Sequence, residues 1–208
     1  MKLILCDQDT AVVEAWRAQF RERPEVEIRQ GSLWEVQADG LVNPGNSFGF
    51  MDGGLALQIV ERFGMDLEDG VRGAIREGFA GEILVGQAVV LPTGGNPPYL
   101  VYAPTTRTPQ KAADSLNAYL ATRAALAAVR TFNGIHGGEP IRSLILPGLC
   151  TGTAKMPPLV SARQIRYAYE EFQGLRKVKA KNLSLLARRE SKLKRLPAAA
   201  DAEEREEG

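Results

Sequence analysis

The chain has 208 residues, 44% of them hydrophobic, and a net charge of +1; that is enough for one well-filled domain with an appendage. A single histidine, His136, and two distant cysteines, Cys6 and Cys150, exclude a common zinc site and a disulfide framework, and any histidine-based triad would have to use His136. No apolar run is long enough to cross a bilayer, and the Met1-Lys2 start has no signal-peptide pattern, so a cytoplasmic location is expected.

Lys2 to Cys6 reads as a short apolar strand. Asp9 or Thr10 can cap the helix after it, in which Val12, Trp16 and Phe20 recur every four residues, and Pro24 closes the unit. Val26 and Ile28 alternate as a second strand, Gly31-Ser32-Leu33-Trp34 forms a loop, and a third strand runs from Leu41 to Asn43. This β-α-β order favours an α/β sheet with ligands near the carboxyl ends of its strands.

The third strand turns on Pro44-Gly45 into a glycine-rich loop that enters a helix with Leu55, Ile59 and Phe63 on its apolar face. Glycines at a helix mouth let the backbone close on a ligand, and the unpaired N–H groups with the helix dipole favour an anion there. Asn43 and Asn46 add amides of the kind that read hydroxyls and carbonyls. The pattern points to a phosphorylated, sugar-like ligand, although such turns also serve as plain connectors.

Helical stretches are expected from Gly54 to Phe63 and from Asp66 to Phe79. Gln87 to Leu91 and Tyr99 to Ala103 are strands on either side of a turn, an antiparallel pair that makes the sheet mixed. Thr105 to Pro109 is a polar loop, and a long alanine-rich helix follows from about Ala112 to Phe132. His136 sits in Asn133-Gly134-Ile135-His136-Gly137-Gly138, which reads as a surface loop. Ile141 to Leu146 is another strand, and Pro147 to Pro158 is a second loop rich in Gly and Thr. A last helix can begin at Pro158, with Ala162, Ile165, Tyr169 and Phe172 on one face. A domain of residues 1–175 is therefore expected, with a charged tail at 176–208. Arg176 to Arg195 is densely basic with one acid, Glu190, and the end is acidic. Leu183, Leu186, Leu193 and Leu196 form a thin stripe, so this tail is expected to be flexible or marginally helical and dispensable for folding. Electrostatic contact with nucleic acid is its alternative role.

Val42-Asn43-Pro44-Gly45-Asn46-Ser47, then Gly53-Gly54, then Pro147-Gly148-Leu149-Cys150-Thr151-Gly152 resemble the paired ligand loops of the macrodomain family, over about residues 26–174. The resemblance implies a three-layer α/β/α fold that binds ADP-ribose. Leu55-Ala56-Leu57-Gln58 and Arg62-Phe63-Gly64 are closer to the branch with the DNA and protein ADP-ribosyl glycohydrolases. By that resemblance Asn46 faces the distal ribose, Asn43 supports the loop from behind, and Ser47 and Phe48 complete the loop's ligand set. Gly53 and Gly54 pass close to the distal ribose and diphosphate. Leu149, Cys150, Thr151, Gly152, Thr153 and Ala154 wrap the diphosphate as an anion nest, with Cys150 a neutral wall.

The departures from the family pattern bear on function. Ser32 stands where many members carry the Asp that accepts from adenine, which leaves that role to Asp9, Asp7 or a backbone group. Ala56 stands where one hydrolase subfamily has an acid, and Gly53 where a glycohydrolase branch has a lysine. Ala154-Lys155-Met156 offers no aromatic to close over the ribose, a task left to Phe48 and Phe50. Asp52 is the one acid in the first loop; it either orients a water for attack at the anomeric carbon or caps the helix at Gly54. Arg107 and Lys155 are candidate phosphate partners or simply solvated, and Trp16 and Trp34 read as core or lid packing. Three functions follow: an enzyme removing ADP-ribose from protein or nucleic acid with Asn46 and Asp52 at its catalytic centre, a non-catalytic ADP-ribose reader, or a nucleic-acid-associated module using the basic tail. None calls for a cofactor, a metal or a membrane.

Overall fold

Six strands, β1 (Lys2–Asp7), β2 (Glu27–Gln30), β3 (Gly40–Asn43), β4 (Val89–Pro92), β5 (Tyr99–Tyr102) and β6 (Ser143–Leu146), form one sheet in the order β2-β1-β6-β3-β5-β4. This computed structural model describes residues 1–138, 140–176 and 182–196. All neighbouring strands run parallel except β4, which pairs antiparallel with β5, so the sheet is mixed as expected.

The pleat sorts β1 into two faces. Leu3 and Leu5 enter a core with α1 (Thr10–Gln19), α4 (Asn117–His136) and α5 (Pro158–Phe172). Ile4 and Cys6 enter another with α2 (Gly54–Phe63) and α3 (Met65–Gly78). Helices cover both faces in three layers, which is why the central strands read as continuous apolar runs. Among the described residues, no helix is long and apolar enough to cross a membrane.

Several boundaries differ from the sequence expectation; β4 starts at Val89 rather than Gln87, and three others have an identifiable cause. α4 begins at Asn117, because Ala112 donates its N–H to Ala154 in the second loop and Ser115 Oγ accepts from Asn117 N. At its other end α4 continues through Gly134 to His136, which is the last helical residue rather than part of a loop. The Asn133 side chain bonds both the N–H and the C=O of Ile141 (3.0 and 2.8 Å), and the His136 ring stacks on Phe132 at 4.0 Å. These contacts outweigh the helix-weakening glycine. The same tie keeps Ile141 out of β6, which starts at Ser143.

Within the basic segment, Leu183–Leu193 forms α6, capped by Asn182. Leu193 is buried, while Leu183 and Leu196 are exposed, so the leucine stripe supplies only part of the attachment. The rest is polar. Arg163 donates to the carbonyls of Lys192 and Arg195, and Gln164 donates to Leu193 O. Arg189 pairs with the buried Glu171, which also takes Arg123 (2.9 Å) and the Tyr119 hydroxyl (2.7 Å). The neighbouring Glu170 holds Arg23, Arg166 and Arg176 at 2.7–2.9 Å. Residues 177–181 and the acidic end, 197–208, lie outside the described residues.

Candidate functional site

A cavity of about 510 Å³ opens at the carboxyl ends of β1, β3, β5 and β6, with both glycine loops on its wall. Its volume is in the range of small-molecule sites. Among the described residues that line it there is no lysine, arginine or histidine, and the charged groups are Asp7, Asp9 and Asp52.

The first loop is fastened from below. Tyr102, fully buried on β5, donates its hydroxyl proton to Asn46 O (2.8 Å) and accepts from Asn46 N (3.0 Å). Gly45 lies so close that a Cβ there would meet the tyrosine oxygen at 2.1 Å. The Asn46 side chain then folds the loop on itself: Nδ2 donates to Phe50 O (2.7 Å), and Oδ1 accepts from Phe48 N and Phe50 N. Both asparagines line the cavity. Asn46 shapes the loop through its side chain, whereas Asn43 is 1% exposed and its Nδ2 has no hydrogen-bond partner.

The N-cap of α2 is Gly53, with no side-chain cap. Asp52 therefore does not cap the helix, and its carboxylate sits exposed on the cavity wall. The first-turn N–H groups of Gly54, Leu55 and Ala56 lack an intrahelical partner and belong to residues that line the cavity. A Cβ placed on Gly53, Gly54 or Gly152 would meet no atom within 4 Å, so open space lies above these stretches of backbone.

The second loop is held by its own backbone. Met156 N donates to Cys150 O (2.9 Å), Lys155 N to Gly152 O (3.1 Å), and Gly148 N to Asp7 Oδ2 (3.0 Å). Cys150 and Lys155 both adopt positive φ, 62° and 56°. Burial pushes the Cys150 thiol up to about 12, which keeps it neutral and unsuited to nucleophilic work. Thr151, Gly152, Thr153 and Ala154 line the cavity beside it, while Lys155 does not.

Three expected ligand residues are absent from the wall. Ser47 is buried under the loop, with its N–H on Arg107 O and its carbonyl taking Ile83 N. The Phe48 ring is covered by Arg107, whose guanidinium lies 5.0 Å from its centroid and forks onto Glu82 (2.6 and 3.1 Å). Arg107 is thereby engaged away from the cavity. Leu149 is fully buried and accepts from Ser161 Oγ. Phe50, half exposed, does line the wall, with Arg72 over its ring at 4.6 Å.

At the β1 end, both oxygens of Asp7 are engaged, one by Asp9 N and the other by Gly148 N. Asp9 Oδ1 caps α1 through Ala11 N (2.8 Å), and Ser32 Oγ accepts from Trp34 N. Trp16 is core, as expected. Trp34 packs edge-on to Phe63 under the Arg62 guanidinium and also forms cavity wall. Gln8, Thr105 and Thr106 are wall residues that no motif announces, and Gln58, the end of the Leu55-Ala56-Leu57-Gln58 stretch, lines the wall although the resemblance assigns it no ligand role. A strand ending in a polar residue was the only signal available for Gln8 and the two threonines.

The Macro domain family model matches residues 42–165, which span both loops. An uncharacterized protein of Aquifex aeolicus (strain VF5) is 32% identical over 151 residues, 72% of this chain and 83% of that one. Among solved structures, the macrodomain of Mycobacterium tuberculosis DarG aligns with a TM-score of 0.57 at 21% identity, covering 69% of this chain and 88% of that one. The macrodomain of Thermus aquaticus DarG gives 0.56 at 24% identity, with 67% and 87% covered. An Oceanobacillus iheyensis macrodomain mutant with ADPR gives 0.54 at 13% identity, with 67% and 74% covered. With this sheet order, two glycine loops at its strand ends and a family match across both, the chain belongs to the macrodomain family.

Proposed function

We propose that the cavity binds ADP-ribose, with its diphosphate over the uncapped N-terminus of α2 and against the second loop. The carrying observation is first-turn N–H groups without an intrahelical partner and open space over Gly53, Gly54 and Gly152, on a wall whose described residues include no cationic side chain, as a backbone anion site requires. Macrodomain structures with ADPR and with ADP support the choice of ligand. The base lies at the β1 end, where Asp9 and Gln8 offer polar atoms, and the distal ribose lies at the first loop beside Asn43 and Asn46.

Hydrolysis of ADP-ribose from a modified protein or nucleic acid is the finer reading. Asp52, a carboxylate on the wall beside the α2 entrance, takes a proton from water as its oxygen bonds to the anomeric carbon and the bond to the carrier breaks. Asn46 contributes by fixing the loop's shape. A reader that binds without turnover is the second reading, favoured by Gly53 and Ala56 standing where the hydrolase branches place a lysine and an acid.

Titrating ADP-ribose, ADP, AMP and adenosine into the full chain tests the binding, since a ligand that binds only the native state raises the melting temperature. A shift with ADP-ribose and little with adenosine is expected; none at millimolar ADP-ribose removes the reading. For a hydrolase, Asp52→Ala lowers turnover of ADP-ribosylated protein or DNA roughly a hundredfold to ten-thousandfold with affinity nearly intact. Release of ADP-ribose by the wild type that survives Asp52→Ala unchanged removes Asp52 from the chemistry.

A further inference from the structure

We infer that Tyr102 is a positioning residue for the ligand, acting through the first loop although it forms no part of the cavity wall. The inference rests on the ADP-ribose reading above. A tyrosine hydroxyl has one proton to give and two lone pairs to receive with. Here the proton goes to Asn46 O at 2.8 Å, Asn46 N donates back at 3.0 Å, and the backbone of Gly49 also bonds the oxygen. Among the described residues, the hydrogen bonds of the hydroxyl all go to this loop.

The ring itself is packed in the core. Tyr102 has no solvent exposure, and β3 and β5 set it opposite Asn43 in register, at the point where β3 gives way to the loop. Burial pushes its phenol well above the usual range, so the hydroxyl stays protonated and remains both donor and acceptor across neutral pH. Gly45 permits the close approach, because any Cβ there would overlap the tyrosine oxygen. Above this tether, the Asn46 side chain closes onto the backbone of Phe48 and Phe50 and so aims the segment that leads to Asp52 and the α2 entrance. One buried oxygen thus sets the height and orientation of the loop against the sheet. Without it, two backbone N–H groups and a carbonyl lose their partner, and the loop is free to rise from its seat.

The prediction separates two ligands. AMP occupies the base end and one phosphate, away from Asn46, whereas ADP-ribose reaches the first loop. In the full chain, Tyr102→Phe keeps the ring and removes the oxygen. It is expected to weaken ADP-ribose about 10- to 100-fold while leaving AMP within about twofold of wild type. Gly45→Ala, which pushes against the same oxygen from above, is expected to act in the same direction. Amide hydrogen exchange in the unliganded protein gives a readout independent of any ligand: Tyr102→Phe accelerates Asn46 and Gly49 and leaves β3 and β5 protected. Unchanged ADP-ribose affinity, equal losses for both nucleotides, or unchanged exchange at Asn46 overturns the assignment. So does a Tyr102→Phe chain without a cooperative melt, which would make the hydroxyl part of the core. A wild type that binds neither nucleotide overturns the ADP-ribose reading instead, and exchange alone then decides the role of Tyr102.

Discussion

The two glycine loops face one cavity but are kept in shape by different means. Residues 46–50 of the first rely on side chains, the Tyr102 hydroxyl below and the Asn46 amide within, beside two backbone bonds at Ser47. Residues 148–156 of the second are held largely by backbone bonds across tight turns, with Cys150 and Lys155 in the left-handed region and the Asp7 carboxylate as outside support. Loops of the first kind depend on a few polar atoms that substitution can delete. Loops of the second kind ignore most side-chain changes and respond to backbone conformation and to intrusion into their close contacts.

The strongest way to break the contrast is at Gly152. Nothing in the protein occupies the space above it, so Gly152→Glu should fold normally and melt near the wild-type temperature. It should nonetheless abolish ADP-ribose binding in calorimetry, by placing bulk and negative charge where the phosphates lie. Lost binding together with lost stability would mean that the residue serves the loop rather than the ligand.

Gly148 should show the opposite balance. An added Cβ meets Asp7 Oδ2 and Thr151 Oγ1 at 2.8 Å. Gly148→Ala is therefore expected to lower stability by roughly 1–3 kcal/mol in denaturant titrations, through overpacking. The smallest effect sharpens the point about turns. Lys155 is exposed, off the cavity wall and held at φ 56°. Lys155→Gly relieves left-handed strain and should stabilise the chain by about 1 kcal/mol, read as a small rise in melting temperature with ligand affinity unchanged. A loss of affinity there would return Lys155 to the site.

What could be read from the residues alone follows the same division between local and distant causes. α2 from Gly54 to Phe63 and the start of α5 at Pro158 were legible because glycine and proline act within a few residues. The extent of α4 was not, since Asn133 answers to Ile141 beyond the helix end and Ala112 is taken by Ala154 of the distant second loop. Loop motifs locate a ligand without saying which side chains face it. Ser47 and Leu149 are buried off the wall with their main-chain carbonyls taken by Ile83 and Ser161, the Phe48 ring lies under Arg107, and none of those partners is adjacent in sequence. The α6 attachment was hidden for a related reason. Its anchors are main-chain carbonyls received by Arg163 and Gln164, which no hydrophobic count over the helix registers.

A cavity wall whose described residues carry three carboxylates and no cation has a consequence for life among other nucleotides. Cellular pools are dominated by triphosphates, and a site built on lysine or arginine draws them in proportion to their charge. Oriented peptide dipoles act over a turn of helix and little beyond, so they hold a diphosphate seated correctly but exert no long-range pull. Nearby aspartates penalise each additional negative charge. On the ADP-ribose reading, such a pocket is expected to discriminate against more highly charged competitors, and its affinity is expected to depend little on ionic strength.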